Sequence, residues 1–255
     1  MQLKHDICLS QDAICKRAAH EIAALLRAKP DAVIGMATGG TPEPMYAELV
    51  RMHKEEGLDF SKATFFNLDE YVGLPHDHPQ SYHAYMHKHL YSHVNADPCK
   101  INILNGLAED KDHECRAFEA KIKDAGGIDL QILGIGENGH IGFCEPGTPF
   151  DSKTHCVTLT DSTRKANARY FDDDINKVPT HALTMGLDTI MQAKRVILLA
   201  NGEKKAQAIG KALNEPKTDR LPASILQDHP NATFMVDNAA ARDIQAKIQV
   251  REAAR

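Results

Sequence analysis

Six short apolar runs recur along the chain: DAVIGM (31–36), ATFFNL (63–68), IDLQIL (128–133), HCVTLT (155–160), RVILLA (195–200) and ATFMVD (232–237). Each is six residues rich in β-branched, aliphatic or aromatic side chains, the pattern of a strand buried on both faces. Between or beside them the apolar positions recur at helical spacing, over residues 11–27, 42–54, 81–89, 114–123, 181–192, 204–213 and 239–250. Strands alternating with helices predict a doubly wound, Rossmann-like α/β fold: a mostly parallel sheet flanked by helices. Such a sheet binds its ligand beyond the carboxyl ends of the strands, so the loops after the runs are where chemistry is expected.

The first such loop, ATGGTPEP (37–44), comes directly after DAVIGM. Thr38, Gly39, Gly40 and Thr41 form either an anion cradle, with exposed amides at a helix start and two hydroxyls, or an ordinary glycine-rich turn. Thr41 suits a helix cap and Pro42 the first helical position. The second, FNLDEYVGLP (66–75), puts Asp69 at a strand end, as a partly desolvated base or as a turn cap. The third, GIGENGHIGFCEPG (134–147), contains G-x-G-x-x-G. A dinucleotide reading needs a helix from Gly139 and a crossover to the next strand; Gly142, Pro146 and Gly147 prevent both. What the loop offers is Asn138, His140 and Glu145, an imidazole able to move protons near neutral pH beside an amide and a carboxylate.

Composition narrows the setting. At 255 residues the chain suits one domain, and no Pro-, Ser- or charge-rich linker divides it. A net charge of −5 without a basic face argues against nucleic acid as a partner. Residues 1–12 carry Lys4, Asp6 and Asp12 in place of a signal peptide's apolar core, and no run reaches membrane-spanning length. Six scattered cysteines without C-x-x-C suit reduced thiols, and together these features predict a cytoplasmic protein. Cys144 reads as a packed thiol. The histidines of residues 76–93 include His83 and His87 at i,i+4, but with no H-E-x-x-H no metal is assigned and no cofactor is implied.

Taken together, TGGTP (38–42), NLDEYVGL (67–74), HPQSY (78–82), GENGHIGFCEPG (136–147), LTDSTRKANARYFD (159–172) and LLANGEKKAQAI (198–209) closely resemble the sugar-phosphate isomerase/deaminase family of glucosamine-6-phosphate deaminase. The resemblance spans almost the whole chain. It implies an amino-sugar isomerase that opens the ring of glucosamine 6-phosphate, moves a proton from C2 to C1 through an enediolamine and releases ammonia, leaving fructose 6-phosphate. It implies Asp69 as the C2 base, His140 as the proton shuttle between ring oxygens, and Glu145 and Asn138 as groups that orient or tune His140. Some members carry Asp at the position of Asn138, and an amide cannot stabilise an imidazolium by charge. Thr38, Gly39, Gly40, Thr41 and Gly136 with Arg169 and Lys205 match substrate-binding positions, with the phosphate held by the first loop and the two cations. The resemblance also implies a small mobile lid over about residues 159–182, and a homo-oligomer is compatible with it. Two rivals are a 6-phosphogluconolactonase-like hydrolase, which would need no C2 base, and a non-catalytic sugar-phosphate sensor.

Overall fold

Strands with no polar face must lie between two layers, and the three most apolar runs do so. The computed structural model describes residues 4–244. Its elements are β1 (Lys4–Cys8), α1 (Gln11–Ala28), β2 (Val33–Met36), α2 (Glu43–Glu56), β3 (Thr64–Asn67), β4 (Asp69–Tyr71), α3 (Tyr82–His89), β5 (Ile101–Asn102), α4 (Lys111–Asp124), β6 (Leu130–Leu133), β7 (His155–Thr158), α5 (Asp161–Asn167), β8 (His181–Thr184), α6 (Leu187–Met191), β9 (Val196–Ala200), α7 (Ala206–Asn214) and β10 (Ala232–Asp237), joined in places by short 3-10 turns. Every residue of β2, β6 and β9 is buried.

Seven strands form one parallel sheet in the order β1-β10-β9-β6-β2-β3-β5. From β2 the chain winds outward through β3 to β5, then returns to β6 on the other side of β2 and winds outward again through β9 and β10. The direction reverses between β2 and β6, which makes their carboxyl ends the topological switch point where such sheets take ligands. Helix α1 shows why the local sequence folds as it does. Ser10 accepts a hydrogen bond from the Ala13 amide at its start, and Ile14, Ala18, Ile22 and Leu26 lie buried along one face.

Three expectations change. HCVTLT does not join the parallel sheet. As β7 it pairs antiparallel with β8, which pairs antiparallel with β4 in a separate three-stranded sheet, and its residues are partly exposed. With no crossover helix after β6, antiparallel pairing is what remains open to it. Residues 181–192 are not one helix but β8, a turn and the short α6. Gly186 breaks the run: a Cβ there would lie 2.1 Å from the Ser152 carbonyl oxygen, so this junction is packed backbone to backbone. Pro42 rather than Thr41 is the cap residue of α2. The helix expected over 239–250 falls mostly outside the described residues.

The 159–182 segment leaves the small sheet and returns to it through α5. Leu159, Ala168, Phe171, Val178 and Ala182 pack with Tyr71 and Phe143 into a second apolar cluster, separate from the main core. Among the described residues no helix is long and apolar enough to cross a membrane.

Candidate active site

Loops from four neighbouring strands converge at the switch point, and each brings groups the sequence singled out. After β2, the carbonyls of residues 39–41 are held by side chains of other elements. The Tyr85 hydroxyl donates to Gly39 O at 2.8 Å, and Gln11 donates to Gly40 O at 2.9 Å and Thr41 O at 3.1 Å. The Thr41 hydroxyl donates to Asn201 at 2.8 Å, and Asn201 donates back to Gln11 at 3.1 Å. Among the described residues, no backbone carbonyl accepts from the amides of Gly39, Gly40 or Thr41. A loop whose carbonyls are tied and whose amides are free has those amides available for an anion. Gln11, Tyr85 and Asn201 carry this arrangement and were not legible from the loop's own sequence.

Of the two cations, Arg169 reaches the cradle through its neighbour Tyr170, and Lys205 acts on His140. Lys205 ends the 3-10 turn before α7. Burial pulls its ammonium below the usual lysine range, Glu137 opposes this, and Arg169 lowers it further, so the two positive groups share one region. Arg169 lies over the Tyr170 ring at 4.7 Å and donates to the Tyr170 hydroxyl at 3.0 Å. That hydroxyl would sit 3.4 Å from a Cβ on Gly40, so the 159–182 segment reaches over the cradle.

After β3, two adjacent acids have opposite environments. Glu70 is buried and accepts three backbone amides, from Tyr71 at 2.8 Å, Tyr82 at 2.9 Å and His83 at 3.0 Å, which ties the strand to the first turn of α3. Asp69 is 6% exposed, yet no group among the described residues donates to its carboxylate. Burial, and secondarily the charge of Glu70, push Asp69 well above the usual carboxylate range. Asn67, two residues earlier, is fully buried and its side-chain amide has no partner at either end.

After β6, the chain folds over itself so that the His140 carbonyl accepts from the Gly136 amide at 2.9 Å. The imidazole then lies on Gly136: a Cβ there would meet the ring at 2.3 Å, which no other residue could tolerate in this arrangement. Asn138 braces the pair. Its Oδ1 accepts from the His140 amide at 3.2 Å and its Nδ2 donates to Glu145 Oε2 at 2.8 Å. Glu145 Oε2 stands 3.7 Å from His140 Nδ1, and that nitrogen is buried without a hydrogen-bond partner. Burial lowers the His140 pKa, the Glu145 carboxylate opposes the shift, and Lys205 adds to it. A neutral imidazole results, able to accept at one nitrogen and donate at the other.

The loops after β3 and β6 are stitched together. Thr184 of β8, paired with Asp69, accepts from the Phe143 amide at 3.1 Å. Asp69 and Glu145 both bear on Cys144, a buried thiol donating to the Met185 carbonyl and pushed up by desolvation, an inert packed cysteine. The site therefore brings together Asp69, His140, Asn138, Glu145, Gly136, the Thr38–Thr41 loop, Arg169 and Lys205 within one chain. The outlying histidines build no centre: His76 and His83 stack at 4.6 Å, and among the described residues no group of three or more His, Cys, Asp or Glu could hold a metal ion.

A family model described as glucosamine-6-phosphate isomerases/6-phosphogluconolactonase matches residues 9–235. Glucosamine-6-phosphate deaminase 2 of Giardia intestinalis is 51% identical over 226 residues, 89% of this chain and 86% of its own length. The solved structure of a monomeric glucosamine-6-phosphate deaminase superposes with a TM-score of 0.93 at 46% identity, covering 94% of this chain and 100% of the other. The 6-phosphogluconolactonase of Leishmania guyanensis superposes at 0.76 with 21% identity over 96% of this chain and 99% of its own, a likeness of fold alone. Sequence identity, fold and the matched motifs agree: the chain belongs to the glucosamine-6-phosphate isomerase/6-phosphogluconolactonase family.

Proposed function

We propose that this chain is a glucosamine-6-phosphate deaminase, converting glucosamine 6-phosphate and water to fructose 6-phosphate and ammonia. The observation that carries the reading is the contrast between Glu70 and Asp69: one buried acid is consumed by three amides, while its neighbour is desolvated, unengaged and held at the sheet's carboxyl edge. Isomerisation of an amino aldose requires such a carboxylate, since a carbon-bound proton must leave C2; lactone hydrolysis does not.

In this reading His140 carries the proton that leaves O1 to O5 as the ring opens. Asp69 takes the C2 proton and returns one to C1, so the aldose becomes a ketose through the enediolamine and water then displaces ammonia. Glu145 and Asn138 orient His140, and Gly136 gives the ring its seat. The Thr38–Thr41 loop, Arg169 and Lys205 hold the phosphate, remote from the reacting carbon, and residues 159–182 act as a lid carrying Arg169. Six free cysteines suit a reducing compartment, so the enzyme is assigned to the cytoplasm.

Incubating the purified protein with glucosamine 6-phosphate should yield ammonia and fructose 6-phosphate in equal amounts. Hydrolysis of 6-phosphogluconolactone without that activity would overturn the reading in favour of the lactonase, and binding without turnover would favour a sensor. The phosphate assignment makes a second prediction. Lys205→Ala removes a charge-assisted hydrogen bond contributing about 1.5–3 kcal/mol, a factor of roughly ten to a hundred and fifty. Because remote binding energy also orients the reacting carbon, kcat should fall along with the rise in KM. Steady-state kinetics in which KM and kcat both stay at wild-type values would remove Lys205 from the site.

A further inference from the structure

Glu145 is held from two sides, and only one of them belongs to its own loop. Its Oε2 accepts from Asn138 and faces the unpartnered His140 Nδ1 across 3.7 Å. Its Oε1 accepts from the hydroxyls of Thr160, at 3.2 Å, and Thr163. Thr160 is the cap residue of α5 and Thr163 is buried in its first turn, and the two hydroxyls are themselves hydrogen-bonded at 3.1 Å. The other end of α5 is also fastened, Asn167 donating to the Tyr71 hydroxyl at 2.9 Å, and Arg169 lies two residues beyond.

A carboxylate 3.7 Å from a buried imidazole nitrogen is close enough to feel it and too far for a hydrogen bond. Within the 134–147 loop Asn138 grips the carboxylate at Oε2, the oxygen that faces the imidazole, and leaves Oε1 to be held from elsewhere. The threonines fix the opposite oxygen, because closing the gap means abandoning the Thr163 hydroxyl, which Thr160 backs in turn. We infer that Thr160 and Thr163 are positioning residues for the proton-transfer pair: they hold Glu145 off His140 and so link the placement of α5, and of Arg169 beyond it, to the state of the imidazole. The inference rests on the reading of His140 as the proton shuttle, and it deepens that reading. A phosphate drawing Arg169 toward the cradle would carry α5 with it, slacken the grip on Oε1 and let Glu145 reach the imidazolium as the ring opens. Charge stabilisation would then appear only once substrate is bound, which is where it assists turnover.

The ionisable surroundings are few. Glu145 and Lys205 face His140, with Arg169 and Glu137 acting through Lys205, and Cys144 and Asp69 lie behind Glu145. On α5, Arg164 is engaged by the carbonyls of Ile175 and Val178, and Asp161 and Lys165 are exposed.

The test is the titration of the His140 ring, monitored by NMR in the unliganded protein. Thr163→Val keeps the shape and removes the hydroxyl, so Glu145 should swing onto His140 and raise its midpoint by about one unit, the size of effect a close opposite charge produces. Thr163→Ala should do the same should the valine variant fold poorly, and Thr163→Ser should restore the wild-type midpoint. The acid limb of kcat/KM should move upward with the ring. An unchanged or lowered His140 midpoint in the valine and alanine variants, or a serine variant that behaves like valine, would overturn the inference. Because the ring titration needs no substrate, it stands apart from the assay for ammonia, whose failure in the wild type would sink the functional reading instead.

Discussion

Asp69→Asn should abolish conversion of glucosamine 6-phosphate, lowering kcat by about two to four orders of magnitude, while a non-reacting sugar phosphate still binds with near wild-type affinity. Proton transfer by a positioned group contributes that much, and an amide of the same shape keeps the site's volume but cannot accept a proton. The structure explains why this acid is costly to keep. Its carboxylate is buried with no donor to offset desolvation, and Glu70 adds like charge. A folded-state pKa above the unfolded value means the native state binds the proton more tightly. Asp69 therefore does not penalise stability at acid pH, where both states are protonated; the penalty grows as pH rises above the unfolded value and is complete above the folded one. Asp69→Asn should accordingly melt higher than wild type at neutral pH, with the gain vanishing in acid. Exchange of the C2 hydrogen with solvent deuterium isolates the chemical step: exchange at the wild-type rate in the variant would show that another group is the base.

Much of this site is legible in the sequence because its loops hang directly on strand ends. An apolar run such as ATFFNL announces a buried strand, and the fold rule then directs attention to the loop at its carboxyl end, so Asp69 and His140 can be found from position, whereas Lys205 and Arg169 are reached only through the family resemblance. The partners of those residues cannot. Tyr85 and Gln11 reach the cradle from α3 and α1, and the distance along the chain between Gln11 and Gly40 hides that contact. Thr160 and Thr163 are ordinary helix-start residues until the fold sets them against Glu145. β4 escapes detection because Asp-Glu-Tyr has no strand signature; it exists because Glu70 is satisfied by amides of another element and Tyr71 joins an aromatic cluster. Residues 181–192 read as a helix because Ala182, Leu183, Met185, Leu187, Ile190 and Met191 are all apolar and fit either period; Gly186 and the need of β4 and β7 for a partner decide in favour of a strand.

His140→Gln should slow turnover of the cyclic sugar by about two orders of magnitude or more, the contribution of a general acid-base group, and should slow open-chain substrate much less. Ring opening requires one proton to leave O1 while another reaches O5, so a single neutral imidazole with one donor and one acceptor nitrogen suits it. The environment of His140 keeps it in that form: burial lowers its pKa, Lys205 lowers it further, and Glu145, held off at 3.7 Å, only partly compensates. The C2 proton transfer belongs to Asp69, on a different loop, and does not pass through this ring. Glutamine offers a donor and an acceptor but cannot exchange their roles, so it can bind the hydroxyl without moving its proton. The same lowered pKa fixes the pH response. Protonation below the His140 midpoint removes the acceptor, so wild-type activity on cyclic sugar should fall on the acid side, and the variant should lose that limb while keeping any limb due to Asp69. Comparing rates on freshly released open-chain substrate with rates on the equilibrated sugar separates the two steps, and equal losses on both would withdraw ring opening from His140.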